Sequence, residues 1–322
     1  MKELKLKVIA ISIGLLFSFL IGELIARVYF FGGAAFSYSK TNSFGIFNNS
    51  GVSKYSETEG LRYELTPNLD TKYKLVDFKT NAEGFRDKDH KPSKNMKKVA
   101  VLGDSFTMGT GVSENELFVQ KTEELLNVPH KTYEFFNFGI SGYGLDDYLT
   151  ILKRNALAHH PDLVIVAFCA SNDHKENGVD FDMNDFVIKP KHNVFWDSYL
   201  KKLLKIKLAP NTYEPTTYSE RQLTFVANQF SELQKVLVQQ NSKGIIFYID
   251  LVYDPVRIEQ IQTLAKQKDL FFLDVSEDFK DANLFDYILN ELDPHPNGDA
   301  NAIFAKKLQT YISKNESLLF EE

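Results

Sequence analysis

Continuous apolar runs separated by helical patterns constrain the fold of this chain most strongly. Residues 163–168 read Leu-Val-Ile-Val-Ala-Phe, and residues 245–249 read Ile-Ile-Phe-Tyr-Ile. A strand that is apolar on both faces belongs inside a parallel sheet that helices cover on both sides. The alternation therefore predicts an α/β fold with right-handed crossovers. The predicted strands are 98–103, 133–138, 162–168, 244–251 and 270–275, and the predicted helices are about 114–127, 144–158, 219–240, 255–268 and 299–314.

One connection is longer than an ordinary loop. Residues 174–218 separate the third predicted strand from the fourth, and we interpret them as an insertion. Within it, residues 196–208 have helical spacing, with lysines set against leucines and isoleucine. Such a basic amphipathic helix can pack on its own domain, cover a cleft, or lie on an anionic membrane surface.

The amino terminus is unlike the rest of the chain. Residues 8–31 contain only two charges in 24 positions, Glu23 and Arg27, which can pair on one helix face. As a helix this segment is about 36 Å long, enough to cross a hydrocarbon core of about 30 Å. Lysines 2, 5 and 7 precede it, so the positive-inside rule places the amino terminus in the cytoplasm. We predict an uncleaved single-pass anchor in the cell membrane, with a cleaved signal peptide ending near residues 32–35 as the alternative.

Charge and cysteine content exclude several classes of protein. The 322 residues carry a net charge of −6, which does not suit a nucleic-acid partner. The single cysteine, Cys169, excludes an internal disulfide framework and a cysteine-rich metal site, and its apolar surroundings predict a small buried residue. The sequence shows neither a phosphate-binding Gly-Lys-Ser/Thr motif nor a metal constellation, so we predict no cofactor and no metal.

Polar residues follow the predicted strands. Ser105 follows the first, Gly142 the second and Asn172 the third, and these strand ends share the sheet edge where α/β folds bind ligands. Asp293 and His295 lie far away in the segment Asp-Pro-His-Pro-Asn. A serine with an imidazole and a carboxylate is the constellation of acyl transfer. We predict Ser105 as nucleophile, His295 as base and Asp293 as its orienting carboxylate, with the Ser105 N–H, the Gly142 N–H and the Asn172 amide stabilising an oxyanion.

Four segments together resemble the SGNH (GDSL-like) hydrolases: Gly-Asp-Ser at 103–105, then Gly142, Asn172 and His295, in that order. Residues 81–86, Asn-Ala-Glu-Gly-Phe-Arg, are similar to a segment of membrane-anchored bacterial relatives. The resemblance implies a flavodoxin-like three-layer α/β/α sandwich with a parallel five-stranded sheet, and ester hydrolysis or acyl transfer. The family commonly places its aspartate three residues before the histidine, whereas Leu292 stands there in this chain. The group predicted to orient His295 is therefore Asp293. Glu291 is a weaker candidate for this role, and a backbone carbonyl is a further alternative.

The predicted organisation is a cytoplasmic start and anchor at 1–32, a stalk at 33–96, and a hydrolase domain at 97–322 containing the insertion. The predicted function is serine-dependent cleavage of an acyl ester, such as an O-acetyl group, on an extracytoplasmic glycan or lipid. An O-acyltransferase would use the same residues with a sugar hydroxyl as acceptor, and a membrane-tethered binding or assembly protein without turnover is the alternative from another class. Tyr143, Asp250 and Tyr253 are candidates for shaping specificity.

Overall fold

The computed structural model describes residues 2–91, 95–180, 186–208 and 217–320. Its α-helices are α1 (Lys2–Phe31), α2 (Tyr38–Asn42), α3 (Ser105–Met108), α4 (Phe118–Leu126), α5 (Leu145–Arg154), α6 (Tyr199–Leu208), α7 (Glu220–Gln240), α8 (Pro255–Gln267), α9 (Gly298–Lys314) and α10 (Glu316–Phe320). Its strands are β1 (Ser53–Tyr55), β2 (Tyr63–Leu65), β3 (Asp70–Tyr73), β4 (Val76–Lys79), β5 (Lys97–Gly103), β6 (Tyr133–Gly139), β7 (Leu163–Cys169), β8 (Lys243–Ile249), β9 (Phe271–Asp274), β10 (Ile288–Asn290) and β11 (Asp293–Pro296).

A parallel five-stranded sheet forms the centre of the fold, in the order β6-β5-β7-β8-β9. This is the strand order of flavodoxin-like folds, in which ligands bind where the order reverses, here between β5 and β7. Gly103 at the end of β5 lies opposite Gly139 at the end of β6, so the loops that follow start at one sheet edge. The α/β prediction is confirmed, and β5 to β9 agree with the predicted strands to within two residues at each end.

Side chains alternate between two cores on opposite faces of the sheet. Ala100 and Leu102 of β5 join the core beneath α5, α7 and α8, whereas Val99 and Val101 join the core beneath α4 and α9. Each fully buried Val or Leu side chain stabilises this arrangement by about 1.5–3 kcal/mol. The result is the three-layer α/β/α sandwich.

Two predicted helices are shorter than expected. The helix predicted at 114–127 is a 3-10 turn at Glu114–Glu116 followed by α4, because Leu117 has extended backbone angles and interrupts the helix. The helix predicted at 144–158 ends at Arg154, and a 3-10 turn follows at Ala156–His159. The apolar periodicity continues through both breaks and did not reveal them.

The residues between α1 and β5 form two antiparallel hairpins, β1–β2 and β3–β4. Tyr63, Tyr73 and Phe78 from these hairpins belong to the core beneath α5 and α7. Phe85 joins the same core, with its ring 4.8 Å from that of Phe138. This segment therefore shares one core with the central sheet. Residues 92–94, just before β5, lie outside the described residues.

α1 is exposed and apolar over most of its length, and by length and composition it could cross a membrane. Its last turns pack against α6, the helix of the long insertion. The predicted helix at 196–208 is confirmed from Tyr199, after a 3-10 turn at Val194–Trp196. Residues 181–185 and 209–216 of the insertion lie outside the described residues.

Candidate active site

Ser105 begins a one-turn helix at the carboxyl end of a central strand. The Asp104 side chain caps this helix by accepting a hydrogen bond from the Phe106 N–H at 2.9 Å. A carboxylate at the N-cap satisfies a helix N–H that has no partner within the helix. The strand-turn-helix junction holds Ser105 with only 7% of its surface exposed.

Two glycines let α3 lie directly on the ends of β5 and β6. A Cβ atom on Gly103 would lie 2.0 Å from Thr107 Oγ1, and a Cβ atom on Gly139 would lie 2.3 Å from the Met108 backbone nitrogen. Asn137 Nδ2 donates to the Thr107 carbonyl at 3.1 Å and ties the helix to β6. The serine helix is thus fixed by close contacts, with the Thr107 side chain over Gly103 and with the helix backbone over Gly139, that leave no room for a side chain at either glycine.

The structure pairs His295 with Asp293 on β11. His295 Nδ1 and Asp293 Oδ1 form a short hydrogen bond, which leaves the His295 Nε2 atom for another partner. The His295 ring lies edge-on to Phe106 with 6.0 Å between ring centroids, so it stands beside the residue that follows Ser105. Among the described residues, no hydrogen bond joins Ser105 Oγ to His295. Such contacts are often long before substrate binds.

Lys74 is a member of this site that the sequence did not suggest. Its Nζ atom lies 2.8 Å from Asp293 Oδ2; the Asp293 side chain is buried and that of Lys74 is 10% exposed. Burial would raise the pKa of Asp293, but the hydrogen bond and charge of His295 and the charge of Lys74 together hold it well below its ordinary value. Lys74 sits in the β3–β4 turn with a φ of +51°, where its N–H donates to the Ser43 carbonyl at 2.8 Å. Because Lys74 and Asp293 are far apart in the sequence, no sequence pattern indicated their contact.

The predicted oxyanion donors lie on neighbouring loops. Asn172 Nδ2 donates to the Tyr143 carbonyl at 2.7 Å, which joins the loop after β7 to the loop that carries Gly142. Gly142 has a φ of +78°, and a Cβ atom there would lie 2.6 Å from Tyr63 Oη, so no other residue fits. Neither the Ser105 N–H nor the Gly142 N–H donates to another described residue. Both N–H groups therefore have no competing partner in that part of the chain.

Two buried acidic side chains, Asp104 and Asp173, interact near the start of the serine helix. Asp173 is fully buried and accepts hydrogen bonds from the Cys169 N–H at 2.8 Å and from Tyr148 Oη at 2.9 Å. Burial, followed by the charge of Asp104, holds the pKa of Asp173 well above its ordinary range. Burial also raises the pKa of Asp104. Cys169 is buried as predicted, at the end of β7.

Arg86 is buried against the far end of α3. Its guanidinium donates to the carbonyl groups of Gly109, Met108 (3.2 Å), Val112 (2.6 Å) and Asp77 (3.3 Å). Burial lowers the pKa of Arg86 to about 10. The last residue of the Asn-Ala-Glu-Gly-Phe-Arg segment therefore fixes the loop behind the serine, a position that the sequence alone did not predict.

Two other candidate residues are engaged in contacts of their own. Glu291 accepts a hydrogen bond from Tyr29 Oη at 2.7 Å and pairs with Lys207 at 2.6 Å, while the contact to His295 is made by Asp293. Tyr143 is fully buried, and its hydroxyl donates to the Tyr63 carbonyl.

The remaining candidates have ordinary structural contacts. Asp250 accepts a hydrogen bond from the Val252 N–H at 3.0 Å, and burial raises its pKa to about 6. Tyr253 lies 5.3 Å below Lys280 Nζ. Within the described ranges, no group of three His, Cys, Asp or Glu side chains converges as a metal site would require.

Comparison with known proteins gives matches among solved structures only. No protein-family model matches the chain, and no curated protein matches it. A protein described as lipolytic and of the G-D-S-L family, from Desulfitobacterium hafniense DCB-2, is 16% identical over 66% of this chain and 98% of its own, with a TM-score of 0.42. An acetyl xylan esterase is 19% identical over 67% of this chain and 99% of its own, with a TM-score of 0.43.

A two-domain esterase active on acetylated mannans is 14% identical over 70% of this chain, with a TM-score of 0.47. This chain covers 51% of that protein. A likeness at this level carries no information on activity, which has to be argued from the residues of the site.

Proposed function

We propose that the protein is a serine-dependent ester hydrolase. One observation carries the proposal: the pair formed by the buried Asp293 and the half-buried His295 lies beside the one-turn helix that begins with Ser105. A serine becomes a nucleophile when an oriented imidazole can accept its proton. Because Asp293 occupies His295 Nδ1, the His295 Nε2 atom is the one available to Ser105.

In the proposed reaction, His295 Nε2 takes the proton from Ser105 Oγ, which attacks the ester carbonyl carbon. The oxyanion accepts hydrogen bonds from the Ser105 and Gly142 N–H groups and from the Asn172 amide. The carbon–oxygen bond to the alcohol then breaks, and His295 returns the proton to that alcohol. Water then attacks the acyl-serine while His295 Nε2 takes one of its protons. The bond between the acyl carbon and Ser105 Oγ breaks, and His295 returns that proton to Ser105 Oγ as the acid is released.

We further propose that α1 anchors the protein in a membrane. Its apolar surface is exposed from Leu4 to Ile21, and Lys5 and Lys7 stand before the apolar stretch. The Tyr29–Glu291 hydrogen bond connects the end of α1 to the β10–β11 turn, two residues before the first residue of the Asp-Pro-His-Pro strand. The site would therefore act close to a membrane surface, which suits an acylated envelope glycan or lipid outside the cytoplasm.

The test is hydrolysis of a short-chain aryl ester by the full-length protein in detergent micelles. We expect turnover by the wild type, no turnover by Ser105→Ala, and normal turnover by the matched control Ser113→Ala, whose side chain caps nothing. Equal turnover by Ser105→Ala and the wild type would contradict the proposal. Absence of turnover in all three proteins would favour a binding protein or a strict transferase.

Transfer to a sugar is the second outcome that the same residues permit. Incubation with an acetylated donor and an unacetylated envelope glycan separates the two reactions. Free acetate is expected from a hydrolase, whereas acetylated glycan without free acetate would identify an O-acyltransferase.

A further inference from the structure

The two charged residues within the apolar stretch of α1, Glu23 and Arg27, hold α6 in place. Glu23 accepts hydrogen bonds from the N–H groups of Tyr199, at 2.9 Å, and Leu200, at 3.1 Å. Both N–H groups belong to the first turn of α6, where a carboxylate is stabilised by the helix dipole. Arg27 pairs with Glu23 at 2.9 Å and donates to the Asp197 carbonyl at 2.8 Å. The charges of the apolar helix are therefore used to attach α6.

The contact lies at the depth where a bilayer would end. A hydrocarbon core of about 30 Å takes about 20 residues of helix, so a core that begins after Lys7 ends near Arg27. α6 meets α1 from Gly22, where a Cβ atom would lie 2.9 Å from Leu200 Cδ2, to Tyr29, whose ring lies 5.4 Å from Lys207 Nζ. If α1 spans a bilayer, its contact with α6 lies where the hydrocarbon core would end.

The two faces of α6 differ. The inner face, formed by Leu200, Leu203 and Ile206, packs on Phe30 and Phe31 of α1. Because this face is covered by α1, it is not available to another partner.

The outer face carries Lys201, Leu204, Lys205 and Leu208, at positions i, i+3, i+4 and i+7 of one helical stripe. Leu204 is 49% exposed and Leu208 is 81% exposed. Trp196, just before the helix, is 78% exposed. Neither Lys201 nor Lys205 has a side-chain partner among the described residues. Exposed leucines, lysines and a tryptophan together form a surface suited to the lipid headgroup region.

We propose that this outer face of α6, together with Trp196, lies on the membrane surface and binds anionic phospholipid. The bilayer is the occupant that α1 itself would bring to this level, and the unpaired lysines complement negative headgroups. The proposal rests on the membrane anchor proposed above. Because Lys207 pairs with Glu291 on the β10–β11 turn, a docked α6 would also hold the Asp293–His295 strand at a fixed height above the bilayer.

Trp196 is the only tryptophan in the chain, so its fluorescence reports on this surface without labelling. Full-length protein is reconstituted into phosphatidylcholine vesicles with and without phosphatidylglycerol, using lipids brominated near the top of the acyl chains. In the anionic vesicles we expect a loss of Trp196 emission from bromine quenching, and protection from acrylamide. In vesicles without phosphatidylglycerol we expect weaker quenching.

Two double variants test the face itself. Leu204→Glu with Leu208→Glu should abolish the bromine quenching, and Lys201→Glu with Lys205→Glu should remove its dependence on phosphatidylglycerol. Val238→Glu, an exposed apolar position on α7, is the matched control and should leave the quenching unchanged.

Alkaline carbonate extraction of the vesicles distinguishes failure of the membrane anchor from failure of the α6 proposal alone. Release of the wild-type protein would overturn the anchor and this proposal with it. Retention of the protein with Trp196 unquenched and open to acrylamide would overturn this proposal alone.

Discussion

Gly139→Ala tests whether the position of the serine helix depends on backbone contact with β6. The added Cβ atom would lie 2.3 Å from the Met108 nitrogen and 2.6 Å from the Thr107 carbonyl carbon. Ordinary contacts of this kind begin near 3.4 Å. Both obstructing atoms belong to the backbone of α3, which cannot rotate away as a side chain could. The serine helix must therefore move by about 1 Å, a displacement that can lower the rate about 100-fold.

The assay is kcat for aryl acetate hydrolysis by the full-length protein, measured beside urea unfolding. We expect kcat to fall about 100-fold. We expect the free energy of unfolding to fall by about 1–3 kcal/mol, the usual effect of overpacking a core.

Gly144→Ala is the matched control, because its Cβ atom would meet only the Lys175 carbonyl at 3.7 Å, an ordinary contact. It should keep kcat within about threefold of the wild type, since small changes away from the reacting atoms alter rates little. A Gly139→Ala variant with wild-type kcat would refute the account of how Ser105 is positioned.

Three further changes have expected outcomes. Lys74→Met should raise the pKa of Asp293 toward its ordinary value. A depressed carboxyl pKa stabilises the fold until pH falls through it, so acid unfolding of the variant, followed by circular dichroism, should begin at a higher pH than in the wild type. Arg86→Met should lower the free energy of unfolding in urea by about 3–5 kcal/mol, because it leaves several buried carbonyl groups without a donor. Asp147 is fully buried, and burial raises its pKa from 3.8 to about 6. Its presence therefore lowers the stability of the fold as pH rises through that window. The free energy of unfolding of Asp147→Asn should gain about 2–3 kcal/mol relative to the wild type between pH 4 and pH 7.

Each of these changes has its own contrary result. Lys72→Met, in the same hairpin and exposed, should not move acid unfolding; if it moved the transition as far as Lys74→Met, the buried ion pair would not be the cause. Unchanged urea unfolding in Arg86→Met would show that the guanidinium is not needed for the loop. A constant difference between Asp147→Asn and the wild type across the pH range would mean that Asp147 keeps an ordinary pKa.

The sheet was predictable because its strands are encoded locally. Fully apolar runs such as 163–168 and 245–249 belong inside a parallel sheet whatever surrounds them, and the chain order of strands and helices fixes the layers. Helix ends were less predictable: Leu117 breaks a periodic apolar pattern through its backbone conformation and not through a turn residue.

The part of the candidate site that lies at the ends of the central strands could be predicted from the sequence. Asn172 and the loop of Gly142 meet because β6 and β7 flank β5 in the sheet. Lys74 and Arg86 reach the site from outside the central sheet. Lys74 lies in a hairpin turn that contains no glycine, asparagine or aspartate to reveal its geometry. Contacts between residues so far apart in the chain depend on how the hairpins pack, and a single sequence does not encode that in a readable pattern.

The central claim is that His295 activates Ser105 as the nucleophile. Reaction of the full-length protein with a fluorophosphonate, followed by peptide mass mapping, tests it most directly because the reagent captures only an activated serine. The account predicts one phosphonylated residue, Ser105, in the wild type and loss of labelling in His295→Gln. Labelling at another serine, or labelling of Ser105 that persists in His295→Gln, would contradict it.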